Sequence, residues 1–146
     1  MKHALEKEQL SWFNLSPDKA KKKLLAYISA GHCLDAKADA KVFELPAEIC
    51  KEVLLAYFKK GNCLYDEDEL KIFKLPTEIC KEVLLAYFEV CFLCEEAEAL
   101  MIELPREIRK EVLIAYSKAD WDLCDMAKQK ISELPEDERN ELMGIF

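Results

Sequence analysis

An all-α fold, about four stacked helical hairpins between two capping helices, follows from three features of this 146-residue chain. The first is self-similarity. LPAEICKEVLLAYF, Leu45 to Phe58, returns as LPTEICKEVLLAYF at Leu75 to Phe88 and as LPREIRKEVLIAYS from Leu104. A looser copy, LSPDKAKKKLLAY, starts at Leu15, and a half-copy, LPEDERNELMGIF, runs to Phe146. The second is the period: the Leu-Pro pairs at Leu45, Leu75, Leu104 and Leu134 stand 30, 29 and 30 residues apart, the length of one supersecondary unit. The third is proline placement. Pro17, Pro46, Pro76, Pro105 and Pro135 share one position in the copies, as suits the first turn of a helix, where the missing N–H would have no intrahelical partner.

Residues 1–12 read as an N-terminal capping helix, amphipathic over residues 4–12 with Leu10 and Trp12 on its apolar side. Repeats follow at 13–42, 43–72, 73–101 and 102–131, and 132–146 closes the single helical-repeat domain as a C-terminal cap. In each repeat helix A opens at the proline and runs to the aromatic pair, as from Pro46 to Phe58. Ser16 predicts a serine N-cap. Glu48, Glu78 and Glu107 lie two residues after their prolines, where an acid complements the helix N-terminus and reaches back toward the cap.

Gly31 and Gly61 predict left-handed C-caps. Cys91 and Asp120 take that place in the third and fourth copies, so those turns should differ. Helix B follows, shorter and more variable (LDAKADAKVF, LYDEDELKIF, CEEAEALMI, LCDMAKQKI), its apolar residues, such as Leu64, Leu70 and Phe73, bracketing a polar centre. The residue missing from the 29-residue copy is expected between Met101 and Ile102. In helix A of the second repeat Ile49, Val53, Ala56 and Tyr57 share one face, and Cys50, Leu54 and Phe58 the next. So wide an apolar arc belongs to a helix packed on several neighbours. Lys51, Glu52 and Lys59 mark the wet side, with Leu55 close to it. The last helix, from Glu136, presents EDERNE, the polar outer face a terminal repeat needs.

Composition bounds the function. With 51% hydrophobic and 34% charged residues the chain is not disordered. Its longest apolar runs, VLLAYF and VLIAY, fall far short of the roughly 20 residues of a membrane span. MKHALEKEQLSWFNL lacks the apolar core of a secretory signal, so a cytoplasmic protein is expected. A net charge of −8 argues against direct binding of nucleic acid, which needs clustered Lys and Arg, and suits a protein partner with a basic surface. Of the seven cysteines, Cys33 and Cys63 are equivalent, as are Cys50 and Cys80. Thiols that recur with the repeat on apolar faces read as small buried side chains, kept reduced.

The helix–turn–helix period resembles that of short α-solenoids, the ankyrin, tetratricopeptide and HEAT-like repeats. The resemblance covers residues 13–146 in architecture. No TPLH signature of ankyrin is present, and the period is shorter than the usual 33 or 34 residues. The resemblance implies protein–protein binding. LPxEIxxxVL also resembles the opening of an F-box, which binds an adaptor of ubiquitin ligases. An F-box occurs once per protein, whereas here the motif is the repeat unit.

Candidate sites follow from departures on this scaffold. Leu25, Leu55, Leu85 and Ile114 either line an exposed apolar groove or pack on a neighbouring helix B. Tyr65, Asp66, Glu67, Asp68 and Glu69, with Glu95, Glu96 and Glu98 one repeat on, form either an electronegative ridge for a basic partner or a solvated face. Calcium is not expected, because the EF-hand glycine and distal glutamate are missing. Lys19, Lys21, Lys22 and Lys23 form a basic cluster on the first helix A. Tyr27, Tyr57, Tyr87 and Tyr116 form a core ladder with hydroxyls at a solvent edge. Cys91 and Cys94, a C-x-x-C, lack a second ligand pair and read as two packed thiols at a turn; the histidines, His3 and His32, are distant in sequence.

No constellation of nucleophile, base and orienting group is visible, so no enzyme, cofactor or metal is expected. The leading expectation is a protein-binding module, monomeric when free, acting as an adaptor or as an inhibitor of the effector kind. The alternatives are an acidic decoy imitating nucleic acid and a thiol-dependent enzyme. A specific partner should be read where the copies differ, in helix B and at the turns after Gly61 and Glu89.

Overall fold

The computed structural model describes residues 2–146, with side chains from Lys7 onward. Among the described residues it is all-helical. Ten α-helices follow in order: α1 (Lys2–Trp12), α2 (Pro17–Ser29), α3 (Ala36–Val42), α4 (Ala47–Lys59), α5 (Asp66–Ile72), α6 (Thr77–Tyr87), α7 (Glu95–Ile102), α8 (Arg106–Lys118), α9 (Asp125–Ser132) and α10 (Glu136–Leu142). Among the described residues no helix is long and apolar enough to cross a membrane.

The long helices α2, α4, α6 and α8 pack each on the next, and α5, α7 and α9 form a second row, with α1 lying against α3 and α2. Between the rows runs a continuous core. The recurring sequence supplies it in register: Val53, Leu54, Tyr57 and Phe58 from α4, then Val83, Leu84, Tyr87 and Phe88, then Val112, Leu113 and Tyr116 from α8. Of the expected faces of α4, Cys50, Val53, Leu54, Tyr57 and Phe58 are buried, whereas Ile49 and Ala56 are half-buried. The helix C-terminal to the last repeat is tied to α8 by charge. Arg106 reaches Asp137 at 3.2 Å and Glu141 at 2.8 Å, and buried Arg109, where the other copies have Cys50 and Cys80, reaches Glu138 at 3.1 Å.

Local details correct several expectations. Pro46, Pro76, Pro105 and Pro135 hold the N-cap position, not the first helical one. The ring restricts φ, −51° to −55° at these four prolines, and the helix begins one residue later. Only Pro17 opens its helix, and Ser16 before it makes no side-chain capping bond. Glu48 and Glu78 do not reach back to the cap either; each pairs one turn ahead, with Lys51 and Lys81.

The missing residue is also elsewhere. Leu34, Leu64 and Leu93 each donate a backbone N–H to the tyrosine hydroxyl of the following helix A, Tyr57, Tyr87 and Tyr116. That makes the three leucines equivalent and puts the deletion in the α6–α7 turn, between Phe88 and Leu93. Hydrogen bonding decides the register, and it is invisible to a comparison of side-chain types alone. Val90, not Cys91, therefore stands opposite Gly61. Gly31 and Gly61 take the left-handed conformation, as does Asp120 at φ 66°, whereas the shortened third turn has no such residue.

Candidate functional site

The turns that link the long row to the short row line up along one edge of the molecule. Between the second, third and fourth of them lies an open groove of about 1050 Å³, lined by residues of the turns and of the first turns of α5 and α7. Its exposed rim carries Asp66, Glu95, Glu96 and Asp122. Its apolar element is aromatic: Phe92, 63% exposed, packs on Trp121 with ring centroids 5.5 Å apart. The Trp121 indole N–H donates to the Phe88 carbonyl at 2.9 Å. A carbonyl left free where the third turn is shortened thus fixes the orientation of the ring.

Beneath the rim runs a repeated polar relay. Tyr87 donates its hydroxyl hydrogen to Glu69, which also accepts the Cys94 N–H at 2.8 Å. One repeat on, Tyr116 donates to Glu98, which accepts the Cys124 N–H at 2.6 Å. At the start of the chain the neutral Gln9 fills the same role, bonding the Tyr27 hydroxyl at 3.1 Å and accepting the Asp35 N–H at 2.9 Å. The two carboxylate relays each join a helix B, the next helix A and the turn beyond it.

The equivalent of Glu69 in the first repeat is Asp39. One methylene shorter, it makes no bond to the Tyr57 hydroxyl: it is fully buried, with the Tyr65 N–H and the Asp68 carboxyl as its polar neighbours but no close, well-aligned hydrogen bond to either. Burial, then repulsion from the neighbouring Asp68, pushes its carboxyl up to about 8. Burial likewise raises Glu69, against the opposing pull of its bonds from Tyr87 and Cys94.

The predicted ridge is therefore divided. Asp66, Glu67, Glu95 and Glu96 are exposed, as is Tyr65. Asp68, Glu69 and Glu98 are buried, 3–4% exposed, because a Glu or Asp at these positions meets a tyrosine hydroxyl, a backbone N–H or, for Asp68, Lys71 at 3.2 Å. Three of the four tyrosine hydroxyls do not reach a solvent edge: those of Tyr57, Tyr87 and Tyr116 are enclosed in these bonds, whereas Tyr27 is half-buried. Burial drives all three phenols upward.

The leucine ladder is half-buried at every rung, Leu25, Leu55, Leu85 and Ile114 alike, so it makes no continuous exposed strip. Leu85 lines a separate depression with Phe88, Ala115 and Trp121. Of the basic cluster, Lys21 pairs with Glu52 at 3.1 Å. His3 lies outside the residues whose side chains are described. Sequence reasoning named the turn regions but did not single out Phe92, Trp121 or Asp122. Their one signal is that they replace Cys63, Asn62 and Cys63 at equivalent turn positions.

The cysteines depart from expectation most. Cys91 and Cys94 are not a pair of free thiols. The Cys91 sulfur is joined to that of Cys63 on the preceding turn, with Cα atoms 6.1 Å apart, within the span of a disulfide. The two therefore leave the class of reduced, separately buried thiols. Cys50 and Cys80 are buried as expected, and burial pushes their thiols up to about 12 and about 11. Asp66, Glu69 and Cys94 offer three ligand atoms within 4.8 Å of one another. Both oxygens of Glu69 are already engaged, and burial pushes the Cys94 thiol up to about 11, so this trio reads as a hydrogen-bonded cluster. No family model, curated protein or solved structure matches the chain.

Proposed function

We propose that this chain is a short α-solenoid that binds a partner protein through the turn-edge groove, gripping an extended basic segment of that partner. The observation that carries the reading is the rim itself: exposed Asp66, Glu95, Glu96 and Asp122 surround the exposed Phe92 and its Trp121 neighbour. Carboxylates supply complementarity to Lys and Arg and speed encounter. A flat aromatic pair, with little rotamer entropy to lose, can stack on an apolar residue or a guanidinium.

A module with this groove works as an adaptor or as an inhibitor that occupies a basic docking surface. The net charge of −8 supports the same partner chemistry. Raised thiols at Cys50, Cys80 and Cys94 weigh against thiol catalysis, which requires a thiolate near neutral pH. Burial of Asp68, Glu69 and Glu98 takes charge off the surface and weighs against a decoy for nucleic acid. Five free cysteines suit a reducing, cytoplasmic setting.

Titration of a labelled Arg/Lys-rich peptide with one aromatic residue tests the reading, against an Asp/Glu-rich peptide of equal length. Binding should weaken roughly tenfold or more, about 1.4 kcal/mol, in Glu95→Lys/Glu96→Lys and in Trp121→Ala, while Leu25→Ala leaves it unchanged. Equal affinity for the two peptides would refute it.

A further inference from the structure

We propose that Cys63 and Cys91 form a reversible disulfide site, oxidised by a small disulfide of the glutathione class, that staples the second turn to the third beneath the groove. The bond's existence stands on geometry alone; its effect on binding rests on the binding groove proposed above.

One slot, repeated along the turn edge, carries the inference. A residue just before the recurring turn leucine faces, across to the next turn, the residue two before that turn's leucine. In the first step Cys33 donates its S–H to the Asn62 side-chain oxygen at 2.9 Å. In the third step Phe92 packs on Trp121 at 5.5 Å. In the second step the occupants are Cys63 and Cys91, with joined sulfurs and Cα atoms 6.1 Å apart. Side chains in this slot touch whatever their chemistry, so two thiols placed there are held within bonding reach. The third turn, one residue shorter than its neighbours, supplies Cys91 where the preceding turn has Asn62.

The two thiols have distinct roles. Cys63 is exposed and Cys91 is 9% exposed, so an external disulfide meets Cys63 first. The Cys63 thiolate attacks one sulfur of glutathione disulfide; that S–S bond breaks, and one glutathione leaves as a thiolate that takes up a proton. The Cys91 thiolate then attacks the Cys63 sulfur of the mixed disulfide and displaces the second glutathione. In sum two protein thiols lose two electrons and two protons, and one glutathione disulfide becomes two glutathione thiols. Cys94, three residues on, is a poor competitor, because burial and nearby Glu69 hold its thiol protonated.

The staple joins residues 28 apart in the chain and restrains the turn that leads into Asp66 and the turn that bears Phe92. A restrained floor holds the groove in its binding shape, which lowers the ordering cost of binding. The oxidised protein grips a basic segment more tightly than the reduced protein does.

The test uses the whole chain equilibrated in reduced/oxidised glutathione buffers, with thiol counting, peptide mapping by mass spectrometry, melting curves and the Arg/Lys-rich peptide. Expected are a fall from seven free thiols to five, a single cross-link joining the Cys63 and Cys91 peptides, and a melting temperature several degrees above that of the reduced form. Cys63→Ser and Cys91→Ser should each abolish the redox dependence of melting, while Cys94→Ser keeps it. The oxidised form should bind the peptide several-fold more tightly than the reduced form. Seven thiols surviving oxidised glutathione, a cross-link through Cys94, or one equivalent of zinc held by Cys63, Cys91 and Cys94 of the reduced protein would each overturn the proposal. If the cross-link and its melting shift appear but neither form binds the peptide, the staple stands and the groove fails. Binding without any cross-link sinks the staple and leaves the groove standing.

Discussion

Asp39 shows how one methylene can separate structural from destabilising chemistry. Glu69 and Glu98 reach a tyrosine hydroxyl and a backbone N–H; Asp39, in the same place, misses the hydroxyl and makes no close bond, with the Tyr65 N–H and the Asp68 carboxyl nearby. Its carboxyl, near 3.8 when unfolded, sits at about 8 in the fold. Between those values the folded chain holds a proton that the unfolded chain has released, so stability declines as pH rises from about 4 to about 8 and levels off above. Asp39→Asn should remove that slope and raise stability near pH 9 by on the order of 2 kcal/mol, read from urea melts across pH. Asp39→Glu should complete the relay and also stabilise, because the longer arm reaches the Tyr57 hydroxyl. The opposite change, Tyr87→Phe, strands buried Glu69 and the Leu64 N–H and should cost about 1–3 kcal/mol.

At the scale of elements, the turns carry the individuality of the repeats. Gly31 and Gly61 accept φ near 89° and 87° freely, whereas Asp120 holds φ 66° with a side chain present, a conformation that disfavours most residues. Asp120→Gly should raise stability by about 0.5–1 kcal/mol in thermal or urea unfolding. The first turn-to-turn slot offers a second check on the staple geometry. Cys33 already contacts Asn62 at 2.9 Å, so the Asn62→Cys variant should form a disulfide between its new thiol and Cys33 on mild oxidation, detected as an added cross-linked peptide. Failure to form it would show that the slot does not hold its occupants in bonding register.

Over the whole molecule, the outer faces of the long helices are laced by a ladder of ion pairs. Lys21 meets Glu52 at 3.1 Å, Lys51 meets Glu82 at 3.2 Å and Lys81 meets Glu111 at 3.4 Å. These pairs are open to solvent, so the ladder adds little stability: replacing Glu52, Glu82 and Glu111 together by Gln should leave the calorimetric melting temperature little changed. The recurrence of LPxEIxKEVLxAY was legible in the sequence because its causes are local. Proline fixes where each long helix starts, and apolar residues at helical spacing define the buried face of α4 from Cys50 to Phe58. The helical class and the ten elements follow from that. The candidate site was only half legible. That Glu69 and Glu98 are buried, that Cys91 belongs to Cys63 and not to Cys94, and that the deletion falls in the α6–α7 turn all depend on partners 18 to 28 residues away. Packing of one repeat on the next brings those partners within hydrogen-bond or bonding distance, and hydrophobicity patterns carry no record of it. The sequence by itself determined the helices and their apolar faces; only the tertiary structure decided which charges and thiols face solvent, because burial here is set by what the next repeat places opposite.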